Sequence, residues 1–465
     1  MVFSSLTFLF VFLPLVVVCY YVLPEQFWNL TLLIFSLIFY AWGEPVYILL
    51  MLFSITVNYL MGRAIEEQPE KAKGYFIYTV ILNLFVLGFF KYAGFLVDTF
   101  NAIFHTSFEM KKLSLPIGIS FYTFQALSYI IDLYRGKIKC QKSYIRFALY
   151  ITMFPQLIAG PIVRYSDVEK QLESRKVNFA QLGQGSQRFL VGLTKKVLLA
   201  NTIGSLYETI HAMGADVSMA TAWIGAIAYM LQIYFDFSGY SDMAIGLGRI
   251  FGFTFPANFD HPYLSKSVTE FWRRWHISLG TWFREYVYIP LGGNRVRLPR
   301  HICNILIVWL LTGLWHGASW NFILWGLYYG LLLLWEKFAW KKIKELLHIK
   351  TLPAVLEHLF TLLAVIIGWV IFSSDSVGAI MTTLKAMVGL SAGGLWDLTA
   401  LYFLKTNGIW LLVGCIASTA LVHNLLQLSI TNKRKIVVAC DIFVFLACVA
   451  CLVTQNYNPF LYFRF

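Results

Sequence analysis

Charge is what this chain is short of. Only 13% of its 465 residues are Asp, Glu, Lys or Arg, against about 25% in soluble domains. That excludes an ordinary water-solvated surface, and with 58% hydrophobic residues the bilayer becomes the main solvent. Acidic residues are the scarcer sign, 24 against 37 basic ones, for a net charge of +13. The basic residues fall in short loops between apolar runs, which is the positive-inside bias of a membrane protein and argues against nucleic-acid binding. Metal-ligand patterns are missing too. The seven cysteines are scattered, and Cys448 and Cys451, which have CxxC spacing, sit inside an apolar run. With no HExxH and no Cys/His set, neither a metal nor a bound cofactor is called for. No internal repeat or low-complexity linker divides the chain. The opening apolar run lacks a basic start and a small-residue cleavage site, so it reads as a retained helix.

What is present is a succession of apolar runs. A bilayer-crossing helix needs about 20 apolar residues. Thirteen runs qualify as candidate spans: 6–23, 28–42, 46–61, 75–95, 117–133, 147–163, 189–210, 220–237, 302–315, 320–335, 355–372, 410–426 and 436–453. Backbone groups in lipid bond internally, so all are read as helices. The basic stretches 135–146, 273–300, 337–350 and 433–435 are expected to face the cytoplasm. Counting from them puts both termini outside, provided 147–163 turns back instead of crossing. Pro116 and Gly118, and likewise Pro155, Gly160 and Pro161, interrupt two of the runs. Broken backbone at membrane depth is tolerated where it is buried in protein or lines a wet cavity. The whole chain is expected to be one transmembrane domain. Residues 256–300 would be a cytoplasmic-interface or re-entrant motif region, and 455–465 an extracytoplasmic tail.

Two of the nine histidines stand out. His316 lies in "LTGLWHGASWNFILWG", between two apolar runs that form a hairpin, which places it near the turn and inside the protein. His276 lies in "NFDHPYLSKSVTEFWRRWHISLGTWFREYVYIPLGGNR", a stretch too polar to span and too aromatic for an ordinary loop. An ionisable residue at membrane depth is costly and is a functional candidate by default. Imidazole is the least expensive base to keep there, because it is neutral near pH 7. A histidine satisfied by a backbone carbonyl is the competing explanation. Asp236 and Asp242 sit in a polar cluster after the 220–237 run. A buried carboxylate needs a partner, and the arginines of the central region are the expected ones. Arg273 and Arg274 belong to that cytoplasmic cluster, where guanidinium forks suit phosphates; plain positive-inside topology explains them equally well.

These motifs, with "PIGISFYTFQALSYIIDLYRG", "LIAGPIVRY", "YFDFSGYSDMAIGLGRIFGF" and the ending "NPFLYFRF", resemble the membrane-bound O-acyltransferases over nearly the whole chain. The similarity is to a bacterial branch that acetylates exported glycans. The sequence before the motif histidine departs from the related D-alanyl transferases, which makes D-alanylation the lesser alternative. The resemblance implies an all-α polytopic fold: a ring of about 11–13 transmembrane helices with re-entrant segments around a central funnel. It matches His316 to the family's motif histidine and His276 to the second one. It also implies a reaction, acyl transfer from a thioester such as acetyl-CoA to a hydroxyl. The expected acceptor is an exported cell-envelope polysaccharide, reached directly or through an extracytoplasmic acetyltransferase partner, and the expected location is the bacterial plasma membrane. Phe460, Tyr462 and Phe465 form an F-x-Y-x-x-F ending similar to that of the small peptide accompanying the D-alanyl transferase, so Tyr462 is a candidate acyl relay. Interfacial anchoring is the plainer explanation of the same residues. A transporter or flippase of a lipid-linked or acyl substrate, and a scaffold for wall assembly, are the rival functions; the transporter would also use broken helices and intramembrane polar groups.

Overall fold

A backbone in lipid has no water to bond, so long apolar runs have one outcome, the helix. The computed structural model describes the chain apart from residues 111–113, 159, 215, 347, 349–352, 422–433, 455–456 and 462–465. Among the described residues the one extended pairing is a bridge between Phe259 and Trp275, and nine helices are long and apolar enough to cross a membrane. Eight correspond to sequence spans; the ninth, Leu398–Ala417, starts twelve residues before the expected 410–426 and shares only 410–417 with it, and 422–426 lie outside the described residues. The other four differ for physical reasons. Phe8–Val22 is apolar but short. Ile119–Tyr134 has 16 residues. The 147–163 run breaks into Tyr144–Thr152 and a single turn, Phe154–Leu157, too short to cross. The fourth, 220–237, belongs to a 32-residue helix, Met219–Ile250, which continues through the polar cluster that was expected to follow it. That helix is almost wholly buried, so its polar side chains face protein and not lipid.

The chain forms two compact units, Met1–Phe189 with Tyr240–Ala257 and Leu190–Gly239 with Asn258–Phe465. In the first, Gly118 has a positive φ of 75°, and a methyl there would stand 2.8 Å from the Leu157 carbonyl oxygen. Glycine is therefore what lets the "PIGIS" turn seat on the broken 154–158 segment. Arg175 closes the same unit from inside. Its Nε donates to the Tyr20 hydroxyl at 2.9 Å and the Phe251 carbonyl at 3.0 Å, and its Nη1 to Asn29 Oδ1 at 2.6 Å. The guanidinium also lies 4.5 Å from the Phe253 ring centroid, an arrangement that holds a buried cation with neutral partners. Asp242 pairs here with Arg188 at 2.5 Å.

The second unit contains the expected hairpin, Leu298–His316 followed by Trp320–Leu334, turning at 317–319. Three glycines allow its helices to touch. A methyl at Gly313 would overlap the Phe322 carbonyl, one at Gly317 the Phe322 ring, and one at Gly326 the Trp309 carbonyl. Such small-residue contacts stand in for a hydrophobic drive, which is weak between helices in lipid. The hairpin carries His316, so its closure sets where the imidazole stands. Gly326→Ala should lower the melting temperature in detergent by the equivalent of about 1–3 kcal/mol, the usual cost of overpacking. Gly88→Ala, where a methyl meets nothing within 4 Å, should not. Equal melting of the two variants would refute the close-packing argument.

Candidate functional site

All of the groups that come together here belong to the second unit. His316 ends the Leu298–His316 helix and is 7% exposed. Three rings stand edge-on to its imidazole, Trp315 at 5.0 Å, Trp325 at 5.1 Å and Phe372 at 5.2 Å. His276 precedes the short Ile277–Phe283 helix in a left-handed conformation, φ 47°. It is buried against Phe237 at 4.7 Å and Trp315 at 5.8 Å. Trp315 therefore touches both motif histidines.

The local chain explains the pose of His276. The Asn258 Oδ1 accepts from the Ser278 amide at 3.1 Å and the Ser278 hydroxyl at 2.9 Å, which fixes the way the amide points. His276 Nδ1 lies 3.2 Å from the same oxygen. An oxygen cannot donate, so Nδ1 carries the hydrogen and Nε2 keeps the lone pair. Burial holds the imidazole well below its ordinary pKa, and this histidine is neutral at physiological pH.

The same unit holds two cavities, neither of them lined by His276 or His316. One, of about 740 Å³, is lined by Lys266, Arg273, Trp309, Trp335, Glu336 and Lys337 among others. Its carboxylate at Glu336 is taken up by the start of the Val268–Arg274 helix, accepting from the Thr269 amide at 2.9 Å and hydroxyl at 2.7 Å. With Glu357 as the other carboxylate, the three cations Lys266, Arg273 and Lys337 leave the cavity net positive over apolar walls. The other, of about 380 Å³, is lined by Tyr207, Glu208, Tyr229, Asn321, Phe372 and Leu461 among others, a mixture of hydroxyl, amide, carboxylate and ring. A chain of touching rings joins the two walls: Trp309 to Trp325 at 6.0 Å, Trp325 to His316 at 5.1 Å, and His316 to Phe372 at 5.2 Å. His316 is thus one of the rings between the two walls, although it lines neither cavity. The indole N–H groups of Trp272 and Trp325 are buried with no hydrogen-bond partner among the described residues, leaving two donors available inside the wall.

The other sequence candidates divide. Arg273 lines the first cavity. Arg274 is engaged by Glu270 at 2.9 Å and by the Asp260 carbonyl at 3.4 Å. The expected arginine partners for the aspartates are not the observed ones. Asp236 pairs with Lys196, 2.5 Å away and equally buried, and Asp242 with Arg188 in the first unit. The helix that carries both aspartates runs on past them, so they face neighbouring helices and not the 273–300 region. Tyr462 lies outside the described residues, but the tail just before it is anchored. Tyr457 accepts from Gln232 Nε2 at 3.1 Å, Asn458 from Asn201 Nδ2 at 3.2 Å, and Leu461 donates its amide to Asp236 at 2.9 Å. Lys196 is the functional candidate that sequence reasoning passed over. A doubled lysine in "LTKKVLLA" was the signal, since a cation inside an apolar helix demands a partner. His301 also gains a setting, 3.0 Å from the Tyr288 hydroxyl and 3.1 Å from Lys337 Nζ at the first cavity.

The profile of the MBOAT, membrane-bound O-acyltransferase family, matches residues 141–374, a span that includes both histidines and the glycine hairpin. A probable alginate O-acetylase of Pseudomonas aeruginosa is 43% identical over 420 residues, 88% of this chain and 78% of that protein. A peptidoglycan O-acetyltransferase of Helicobacter pylori is 35% identical over 433 residues, covering 86% and 82%. A teichoic acid D-alanyltransferase of Bacillus subtilis is 30% identical over 273 residues, covering 55% and 68%. An imidazole buried among aromatic rings, on a helical scaffold with these relatives, makes the chain a multi-pass member of the membrane-bound O-acyltransferase family and an acyltransferase by trade.

Proposed function

We propose that the enzyme passes an acetyl group from a cytoplasmic thioester to an exported cell-envelope polysaccharide, with His316 as the base. The observation that carries this reading is the buried His316 in a chain of ring contacts that runs from Trp309 on the wall of the first cavity to Phe372 on the wall of the second. A thioester donor such as acetyl-CoA suits the first cavity: Lys266, Arg273 and Lys337 for its phosphates, and Trp309 and Trp335 for its pantetheine arm. A carrier-bound phosphopantetheine thioester offers the same chemistry. The topology that fits is insertion in the bacterial plasma membrane with both termini outside, the cationic cavity toward the cytoplasm.

The reaction then needs few groups. A hydroxyl of the acceptor gives its proton to His316 as its oxygen attacks the thioester carbon. The C–S bond breaks, and the thiolate leaves with the proton that the imidazolium returns. A positioned base contributes about 10²–10⁴-fold. The Trp325 N–H is suited to the developing oxyanion, and such a donor counts for most where water is excluded. His276, neutral and oriented by Asn258, supports the same wall through Trp315. The first acceptor in this reading is the phenol of Tyr462. Its ordinary pKa of about 10 makes an acetyl ester more reactive than an alkyl one, so an extracytoplasmic acetyltransferase partner can collect the group and free the tyrosine.

Replacing His316 by alanine should reduce acetylation of the exported polymer to that of a deletion strain while the protein still inserts; normal acetyl content would remove the residue from the chemistry. Tyr462→Phe keeps the ring and should be as inactive, and full activity would end the relay. For the donor, Arg273→Ala should raise the apparent KM for acetyl-CoA about tenfold, the worth of one charge-assisted hydrogen bond, whereas Arg274→Ala, engaged elsewhere, should barely change it. The opposite ranking would reject the cavity assignment. His276 makes a statement about pH. Its folded pKa lies below its unfolded value of about 6.5, so the unfolded chain binds the proton first and stability falls as pH drops below that value. Melting in detergent should therefore decline below about pH 6.5, and His276→Gln should flatten part of that decline. An unchanged pH slope in the variant would contradict the buried neutral state.

A further inference from the structure

Lys196 and Asp236 form an ion pair that general stability does not explain. Their side chains are 4% and 3% exposed, and at such depth desolvation cancels most of the attraction between two charges. The protein nevertheless takes trouble to build the pair. Lys196 sits in a π-helical stretch, Lys195–Ala200, within a longer helix, and such local widening is frequent at functional positions. Gly239, one turn beyond Asp236, has no side chain to hold the helices apart: a methyl there would stand 2.8 Å from the Gly192 carbonyl and 3.1 Å from the Lys196 nitrogen.

Each partner makes a second bond, and both go to the main chain of the C-terminal tail. Lys196 Nζ donates to the carbonyl of Pro459. Asp236 Oδ2 accepts the amide of Leu461 at 2.9 Å. The two contacts are two residues apart, so the pair grips the tail by its backbone with a donor at one point and an acceptor at the next. Phe460 and Leu461 are 5% and 4% exposed in this seat. Leu461 also lines the second cavity, together with the Phe372 that packs on His316.

We propose that Lys196 and Asp236 are positioning residues, a main-chain clasp that sets the register of the tail at the second cavity so that the residue following Leu461 is delivered for acyl transfer. This rests on the reading of Tyr462 as the acyl acceptor. A purely structural ion pair and a clasp respond differently to one exchange. The double variant Lys196→Asp with Asp236→Lys keeps opposite charges face to face. It also sets a donor against the Leu461 amide and an acceptor against the Pro459 carbonyl, so both tail bonds are lost. Leu461→Pro provides an independent route, since it removes the tail's donor and leaves the pair untouched; it decides the matter should the double variant fail to insert.

The test measures hydrogen exchange of the C-terminal peptide in the purified full-length protein, beside the kcat and KM of acetyl transfer. Both variants are expected to speed tail exchange at least tenfold and to lower kcat at least tenfold, with the KM for the thioester unchanged. Wild-type tail protection and turnover in the double variant would reduce the pair to a structural bond, and the same result in Leu461→Pro would overturn the clasp. A freed tail with normal turnover overturns the positioning role if Tyr462→Phe is inactive. If Tyr462→Phe is fully active as well, the relay is what fails, and the clasp survives as the tail's anchor.

Discussion

At membrane depth every polar atom has to find its partner inside the protein, because lipid offers none. That single constraint shapes this molecule more than any one contact. It turns the apolar runs into helices. It encloses the 32-residue Met219–Ile250 helix so that Asp236 and Asp242 meet cations and not lipid. It surrounds Arg175 with hydroxyl, carbonyl and ring partners, and it holds His276 neutral against Asn258. Imidazole satisfies the constraint at little cost, since its resting form carries no charge.

Enclosure also decides what the site can do. In the proposed reaction, transfer from a thioester would compete with hydrolysis, and the His316 imidazole has the rings of Trp315, Trp325 and Phe372 around it. The Trp325 indole N–H is buried there with no hydrogen-bond partner among the described residues, so the wall also holds a donor. The cationic cavity and the polar one differ in chemistry as the two substrates of such a transfer would. The glycines at 313, 317 and 326 matter here because they let the hairpin that carries His316 close.

Much of this was legible in residue order, and the failures have causes. The hairpin was readable because two basic stretches force an even number of crossings between them, and His316 fell at its turn as expected. Eight spans were readable because hydropathy over about 20 residues is a strong signal; the expected 410–426 was displaced because Lys405 and Asn407 interrupt the apolar run inside the observed Leu398–Ala417 helix. The extent of Met219–Ile250 was hidden because Asp236, Ser238 and Asp242 look like a helix end, when full burial permits them in mid-helix. The partners of the two aspartates were hidden as well, since long-range pairing depends on helix register, which hydropathy does not encode. Lys196 was passed over, although a lysine inside an apolar run demands a partner. Its meaning required the tail, 263 residues later.

His276 holds a backbone conformation, φ 47°, that suits glycine best and costs other L-residues about 1–2 kcal/mol. Folding and chemistry therefore pull in opposite directions at this one position. Drift toward glycine would relax the chain and erase the ring that packs on Trp315; drift toward a bulkier residue would keep a ring and strain the turn. A position under two opposed pressures accepts few substitutes, so tolerance to mutation here should be narrower than burial alone implies.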